Sequence, residues 1–321
     1  MKDESPAICS WTVPADEQPI RIDTFVRRSL AHLSLREAQR AIQEGAFWVN
    51  GRPAKKGYRL VGGDLLYFRG AGHWLAPAPL PRPDASVVIR YEDESMLALD
   101  KPAAMPTHGF SGRETSSLAN FLAAQRPSLS GVGRSRWEPG LVNRLDRGTS
   151  GLVLVAKDQP SFEELRSQLR RGLIKKRYWA LVWGKTKREG RIDLPLMHDP
   201  RDRKKMKTIT AAKRRGRQPR SWNATTRFRF HGYSQGFSLL EVEIDTGVTH
   251  QIRAHLAAAG HPLVGDPLYG SGRSDPFGLG RQFLHACRLG VRHPRDGREV
   301  VIESPLPEEL RQVVDRLKIR L

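Results

Sequence analysis

Between residues 21 and 68 the apolar positions recur first at helical and then at strand spacing. Ile22, Phe25, Val26 and Leu30 fall on one helical face. A second helix is predicted to start at Ser34, where Glu37 completes a capping box. It runs through Ala38 and Ile42 and stops at Gly45. Phe47-Trp48-Val49 reads as a short strand and Asn50-Gly51 as a tight hairpin turn. Gly62-Gly63-Asp64 makes another turn before the strand Leu65-Leu66-Tyr67-Phe68. The proline-rich stretch 71–86 breaks the pattern and predicts a semi-rigid linker rather than a packed element. From Val87 strand signals dominate: 87–91, 96–99 ended by Asp100-Lys101-Pro102, the unbroken apolar run 152–156, and the alternating stretches 177–183 and 240–245. Thr249 to Ala259 reads as a helix closed by Gly260. The expected fold class is α+β. A small two-helix unit over 19–70 and a linker over 71–86 precede a mixed, largely antiparallel sheet domain over 87–321.

Composition adds a partner to this picture. The 321 residues are 39% hydrophobic, enough for real cores. They carry 54 Lys and Arg against 34 Asp and Glu, a formal net charge of +20. Such an excess points to a polyanion, with nucleic acid first and an anionic membrane surface second. Arg27, Arg28, Arg36, Arg40, Lys55 and Lys56 stud the first unit and are expected to meet phosphates with salt-sensitive, weakly sequence-selective affinity. Residues 201–220 hold ten Lys or Arg against one acid, Asp202, with Trp222 close behind; a loop that orders on RNA is expected there.

Two cysteines, Cys9 and Cys287, fit reduced thiols in a cytoplasmic protein. There is no CxxC or HExxH, and His250 and His255 are five apart, so they do not share a helix face as zinc ligands would. No metal or cofactor is expected. The N-terminus MKDESPAICSW has no apolar core and does not read as a signal peptide, and no apolar run is long enough to span a bilayer. A cytoplasmic monomer without membrane association is the expectation.

The candidate chemistry lies in Asn143-Arg144-Leu145-Asp146-Arg147-Gly148-Thr149-Ser150-Gly151. A lone carboxylate sits between two arginines in a turn-prone loop, at the mouth of a strand read as buried. Flanking cations favour the ionised form, and an ionised, positioned carboxylate can act as nucleophile or base.

Longer motifs identify the setting. "LALDKPAAMPTHG", "NRLDRGTSGLVLVAKD", "IKKRYWALVWG" and "TGVTHQIRAHLAAAGHPLVGDPLYG", then "FLHACRLGVRHP" and "ESPLPEEL", follow one another in an order that resembles the RluA-type pseudouridine synthase family over about residues 87–310. The first unit, with "EGAFWVNGRPAKKGYRLVGGDLLYF", resembles the S4 RNA-binding domain. The resemblance implies conversion of uridine in RNA to pseudouridine: the base leaves its N1 link to ribose and rejoins through C5, without metal or cofactor.

It also implies residue roles. Asp146 takes the essential aspartate position, and attack at C1′, attack at C6 and removal of a ribose proton all stay open. Arg253 is the cation paired with Asp146, and Tyr178 is the aromatic that stacks on the target base or shapes its pocket. Arg144 resembles the arginine that fills the space left by a flipped base. Lys101 and Pro102 read as structural, and Leu284 as packing near the base. Three places depart from what the family usually shows: Asn143 replaces a usual His, Val248 a usual Arg, and "PAAMPTHG" stands where a Gly and a His-Pro pair are usual. Ribosomal RNA is favoured as substrate because large-subunit enzymes of the family often carry an S4 domain in front; transfer RNA is the alternative. A binding-only ribosome assembly factor is the competing class, and it gives no reason for Asp146, Tyr178 and Arg253 to occur together. A nuclease or glycosidase lacks its paired carboxylates or metal ligands.

Overall fold

The computed structural model describes residues 9–31, 33–70, 74, 79–82, 87–109, 116–135, 137–209, 220–270 and 272–320. They divide into two compact units, one comprising the residues up to Pro81 together with Gly109 and the other Arg82–His108 and the residues from Ser116 onward.

The first unit is built from β1 (Cys9–Thr12), β2 (Ile20–Arg21), α1 (Ile22–Ser29), α2 (Leu35–Gln43), β3 (Phe47–Val49), β4 (Arg52–Pro53), β5 (Arg59–Leu60) and β6 (Leu65–Phe68). Its main sheet runs β1-β6-β3-β4, and β2 pairs with β5. The local signals act as read. The Ser34 amide donates to Glu37 Oε2 at 2.8 Å, and the Glu37 amide donates to Ser34 Oγ at 3.3 Å. Asn50 and Gly51 both have positive φ, 48° and 79°, the backbone that a two-residue hairpin requires. The Asn50 side chain then donates to Asp64 at 2.8 Å and accepts from the Leu65 amide at 2.9 Å, so the two turns lock each other. Phe25, Ile42, Phe47, Leu66 and Phe68 fill the core between helices and sheet. Trp74 belongs to this core and is buried, although it lies in the segment read as an unpacked linker. An indole is large enough for its burial to outweigh the extended habit of the prolines around it. Most of the remaining linker lies outside the described residues.

The second unit contains, in chain order, β7 (Val88–Glu92), β8 (Met96–Lys101), α3 (Leu118–Gln125), β9 (Ser150–Ala156), α4 (Gln159–Arg170), β10 (Lys175–Trp183), β11 (Glu189–Asp193), β12 (Leu196–His198), β13 (Met206–Thr208), β14 (Ser221–Trp222), β15 (Thr225–Ser234), β16 (Phe237–Ile244), α5 (Gln251–Ala258), β17 (Leu284–Arg292), β18 (Glu299–Glu303) and α6 (Glu308–Arg316). Nine strands form one sheet in the order β11-β15-β16-β10-β17-β9-β8-β7, with β18 beside β17. Among the described residues only β17 and β9 pair in parallel. This is the expected mixed, largely antiparallel α+β architecture. The unbroken apolar run of β9 has a direct cause. Val153 and Val155 join one core cluster, while Leu152 and Leu154 join another with Phe162 and Leu165 of α4, so both faces of the strand are covered.

The basic stretch 201–220 differs from its expectation in its first half. β12 and β13 are a hairpin whose turn is closed by Lys205 N–Asp202 O at 2.9 Å and Asp199 N–Lys205 O at 2.9 Å. Met206 and Ile209 are buried, and these apolar anchors order the chain between its lysines. Residues 210–219 lie outside the described residues.

Candidate active site

Asp146 stands at the end of an extended segment that feeds β9, and each neighbour in the loop is tied to a different element. Asn143 Oδ1 accepts from the Leu154 amide at 2.7 Å, which folds the loop back on its own strand. Thr107 Oγ donates to the Leu145 carbonyl at 2.8 Å and accepts from the Leu145 amide at 3.1 Å. Buried Arg281 donates to the Gly148 carbonyl at 3.1 Å, and Gln282 donates to Thr149 Oγ at 3.0 Å. Gly151 ends the loop with φ 111°, and a Cβ there would lie 2.3 Å from the Ala286 carbonyl, so only glycine lets β9 approach β17 this closely.

Lys101 is completely buried beneath this loop. Its ammonium donates to the carbonyls of Pro102 and Met105, each at 2.8 Å, and more weakly to that of Arg147 at 3.4 Å. Burial and then the nearby Arg281 charge pull its pKa down to about 7, against the opposing pull of Asp146. Three carbonyls match three N–H donors, which favours the charged form. Lys101→Met should leave these carbonyls unpaired and cost roughly 2–4 kcal/mol. Thermal melting of the variant checks this, and an unchanged melting temperature would remove the clamp from the account.

The carboxylate of Asp146 meets a cation from α5: Arg253 Nη1 donates to Asp146 Oδ2 at 2.9 Å. The other edge of the same guanidinium makes two 2.8 Å bonds to Asp266, whose side chain is inaccessible to solvent. Asp266 also accepts from the amides of Leu268 and Tyr269 at 2.9 and 3.0 Å. Burial works to raise the Asp266 pKa, but the Arg253 bonds and these amides reverse that and hold it below the ordinary range. Burial likewise works to lower the Arg253 pKa, and the two carboxylates raise it instead. Arg253 is therefore a fixed, charged bridge, with Asp266 orienting it and Asp146 at its open end.

Tyr178 on β10 lies in the same row of the sheet as Ala286 and Gly151. A register shift between Arg177 and Tyr178 against β17 sets the ring's direction. The ring is buried in one cluster with Leu145, Ile252 and Leu284. Burial, and then the Asp146 charge, raises its pKa and keeps the phenol protonated. Its apolar face beside Asp146 suits a planar, uncharged base.

The flanking arginines do not do what adjacency suggested. Arg147 Nε donates to the Ala104 carbonyl at 2.9 Å. Arg144 Nη1 lies 2.9 Å from His108 Nε2 and 3.9 Å from Glu138, with its side chain 54% exposed. Their partners come from the segment around 104–108, and Arg253, distant in sequence, supplies the cation instead. Asp266, Tyr269, Thr107, Arg281 and Gln282 were given no role from the sequence. "GDPLYG" contains two of them, but their partners are set by the path of the chain.

In the first unit Arg28, Arg36, Arg40, Lys55 and Lys56 are all exposed. Arg28 is paired with Glu17, and Arg40 with Glu44 at 3.1 Å, so part of their charge is already balanced. Val248 packs against an apolar cluster of Leu196, Met206 and Ala254. A cleft of about 490 Å³ elsewhere is lined by Arg177, Arg227, Glu241, Glu243 and neighbours. Its charges largely pair with one another, and it includes none of the residues around Asp146.

A buried arginine bridges two carboxylates, one sealed and one open beside a buried tyrosine, on a mixed sheet. Comparisons with known proteins supply the class. The RNA pseudouridylate synthase family model matches residues 95–258, and the S4 domain matches residues 20–66. An uncharacterized RNA pseudouridine synthase of Bacillus subtilis is 35% identical over 96% of this chain and 97% of its own length. Ribosomal large subunit pseudouridine synthase D of Neisseria meningitidis serogroup A is 34% identical over 96% of this chain and 81% of its own. Human RNA Pseudouridylate Synthase Domain Containing 4 shares the fold, with a TM-score of 0.57 at 23% identity, over 73% of this chain and 94% of that one. The chain belongs to the RNA pseudouridine synthase family, of the RluA and RluD type, and carries an S4 RNA-binding domain at its N-terminal side. It is an isomerase acting on RNA.

Proposed function

We propose that this enzyme isomerises specific uridines of large-subunit ribosomal RNA, with Asp146 as the reacting carboxylate. The observation that carries the reading is the Arg253 bridge: one carboxylate is spent on orienting the arginine, and the other is left open at 2.9 Å from it. The reaction breaks the N1–C1′ bond and forms C5–C1′, with N1 gaining a proton and C5 losing one. Tyr178 forms a wall of the base pocket, and Arg253 keeps Asp146 oriented in a site from which RNA excludes water. The ribosomal substrate rests on the name of the Neisseria relative and on the S4 domain.

A base inside a helix must be flipped to reach such a site. Arg144 is half exposed beside Asp146 in sequence, and a planar guanidinium can stack and hydrogen-bond in the vacated gap. Arg28, Arg36, Arg40, Lys55 and Lys56 anchor phosphates from the 19–70 unit. The enzyme works as a monomer in the cytoplasm, where ribosomal RNA is made available.

Mapping pseudouridines in total RNA from cells with and without the gene tests the substrate. Sites lost from large-subunit RNA alone support it, whereas loss confined to transfer RNA overturns it. Arg144→Ala should slow modification of a base-paired target by about tenfold or more and a single-stranded target far less, since unstacking costs a few kcal/mol only in the duplex. Equal slowing on both would remove Arg144 from base flipping.

A further inference from the structure

The His250 imidazole also stands beside Asp146. His250 precedes α5 with φ 55°, ψ 20°, a left-handed conformation that is uncommon for a side-chain-bearing residue. Gln251 holds the bend: its side chain accepts from Thr246 Oγ at 2.8 Å and from the Val248 amide at 3.2 Å, and donates to the Thr225 carbonyl at 2.8 Å. The bend aims the imidazole between two partners. Nδ1 lies 3.1 Å from the Tyr269 hydroxyl, and Nε2 lies 3.9 Å from Asp146 Oδ2.

The Tyr269 hydroxyl is itself fixed. It accepts from the Met206 amide of β13 at 2.7 Å. That leaves its own proton for His250 Nδ1, which is nearer than the Met206 carbonyl at 3.3 Å. With Nδ1 accepting, the proton of a neutral imidazole sits on Nε2, facing a carboxylate oxygen that would repel a lone pair. Burial lowers the pKa of this ring, against the pull of Asp146, which keeps it neutral at ordinary pH.

We propose that His250 is a positioning residue for Asp146: Tyr269 and the Met206 amide hold it as the Nε2–H tautomer, which donates to Asp146 Oδ2 once RNA closes the site. This rests on the reading of Asp146 as the reacting carboxylate. At 3.9 Å the contact is longer than a hydrogen bond. Catalytic contacts of this kind tighten in the substrate complex. Arg253 and His250 then both engage Oδ2, which leaves Oδ1 for the nucleoside. The same chain of bonds ends on the β12–β13 hairpin, whose turn carries exposed Arg201, Arg203 and Lys204. Contact of RNA with that turn would therefore be felt at the carboxylate.

Two substitutions separate positioning from folding. His250→Asn tolerates the left-handed backbone but cannot reach Asp146; His250→Gln retains an N–H near the Nε2 position. Single-turnover modification of total RNA from cells lacking the gene, at saturating enzyme, should slow by roughly 10- to 100-fold for Asn and only a few-fold for Gln. The enzyme concentration giving half-maximal rate should stay near wild type in both. Tyr269→Phe should lose about as much as His250→Asn, and the double variant little more, because both act through one bond. A full rate for His250→Asn, or equal losses for Asn and Gln, overturns the proposal. Asp146→Asn run in parallel separates the two claims. If it is inactive while His250→Asn is unimpaired, only this inference falls; if it is active, the reading of Asp146 falls and takes this inference with it.

Discussion

Asp146→Asn should reduce pseudouridine formation by more than roughly 10³-fold, which is about 4 kcal/mol of lost transition-state stabilisation. An amide can neither attack C1′ or C6 nor take a proton from ribose, so the expectation holds for each of these roles. The fold should survive. Arg253 keeps its bidentate bonds to Asp266, and the Asp146 backbone still accepts from the Thr149 amide at 3.0 Å. RNA affinity should stay within a few-fold of wild type, since phosphate contacts dominate it. Single-turnover kinetics, with melting temperature and RNA binding measured on the same preparation, check this. Activity near wild type would remove Asp146 from the chemistry.

The second large effect is on stability as well as rate. Arg253→Met removes the partner of a carboxylate that has no solvent exposure. Breaking a buried pair from one side costs roughly 3–5 kcal/mol. For a unit of this size that lowers the melting temperature by roughly 6–20 °C, and activity should be lost together with the orientation of Asp146. The pH dependence gives the sign. Asp266 has its pKa lowered in the folded state. Its pairing therefore stabilises fully above its unfolded value, about 4, and is lost as pH falls through the lowered folded value. The wild-type advantage over Arg253→Met should accordingly be largest near neutrality and shrink in acid. Thermal melts of both proteins from pH 7 to pH 3 check this. A constant difference would mean that the Asp266 charge is not what Arg253 stabilises.

Signals carried by neighbouring residues were legible. The Ser34 box, the Asn50-Gly51 turn and the buried run of β9 each depend on backbone chemistry within a few residues, and each formed as expected. Long motifs also pointed to Arg253 for Asp146, across a separation of 107 residues. What the sequence hid depends on where the chain goes next. Asp266 meets Arg253 only because the segment after α5 turns back over 13 residues. Trp74 looked like part of a linker because nothing local says that a core is waiting for it. The β12–β13 hairpin was masked by its lysines and arginines, although Met206 and Ile209 carry its burial. Arg144 and Arg147 flank Asp146 in sequence and bond elsewhere, because the path of the chain brings His108 and the Ala104 carbonyl, 36 and 43 residues earlier, up to them.

The most direct test returns the enzyme to RNA that lacks its product. Total RNA from cells without the gene, incubated with wild-type enzyme or with Asp146→Asn, is mapped for pseudouridine at single-nucleotide resolution. The account predicts that wild type restores the missing sites in large-subunit ribosomal RNA and that Asp146→Asn restores none while still binding the RNA. Restoration by Asp146→Asn would contradict it.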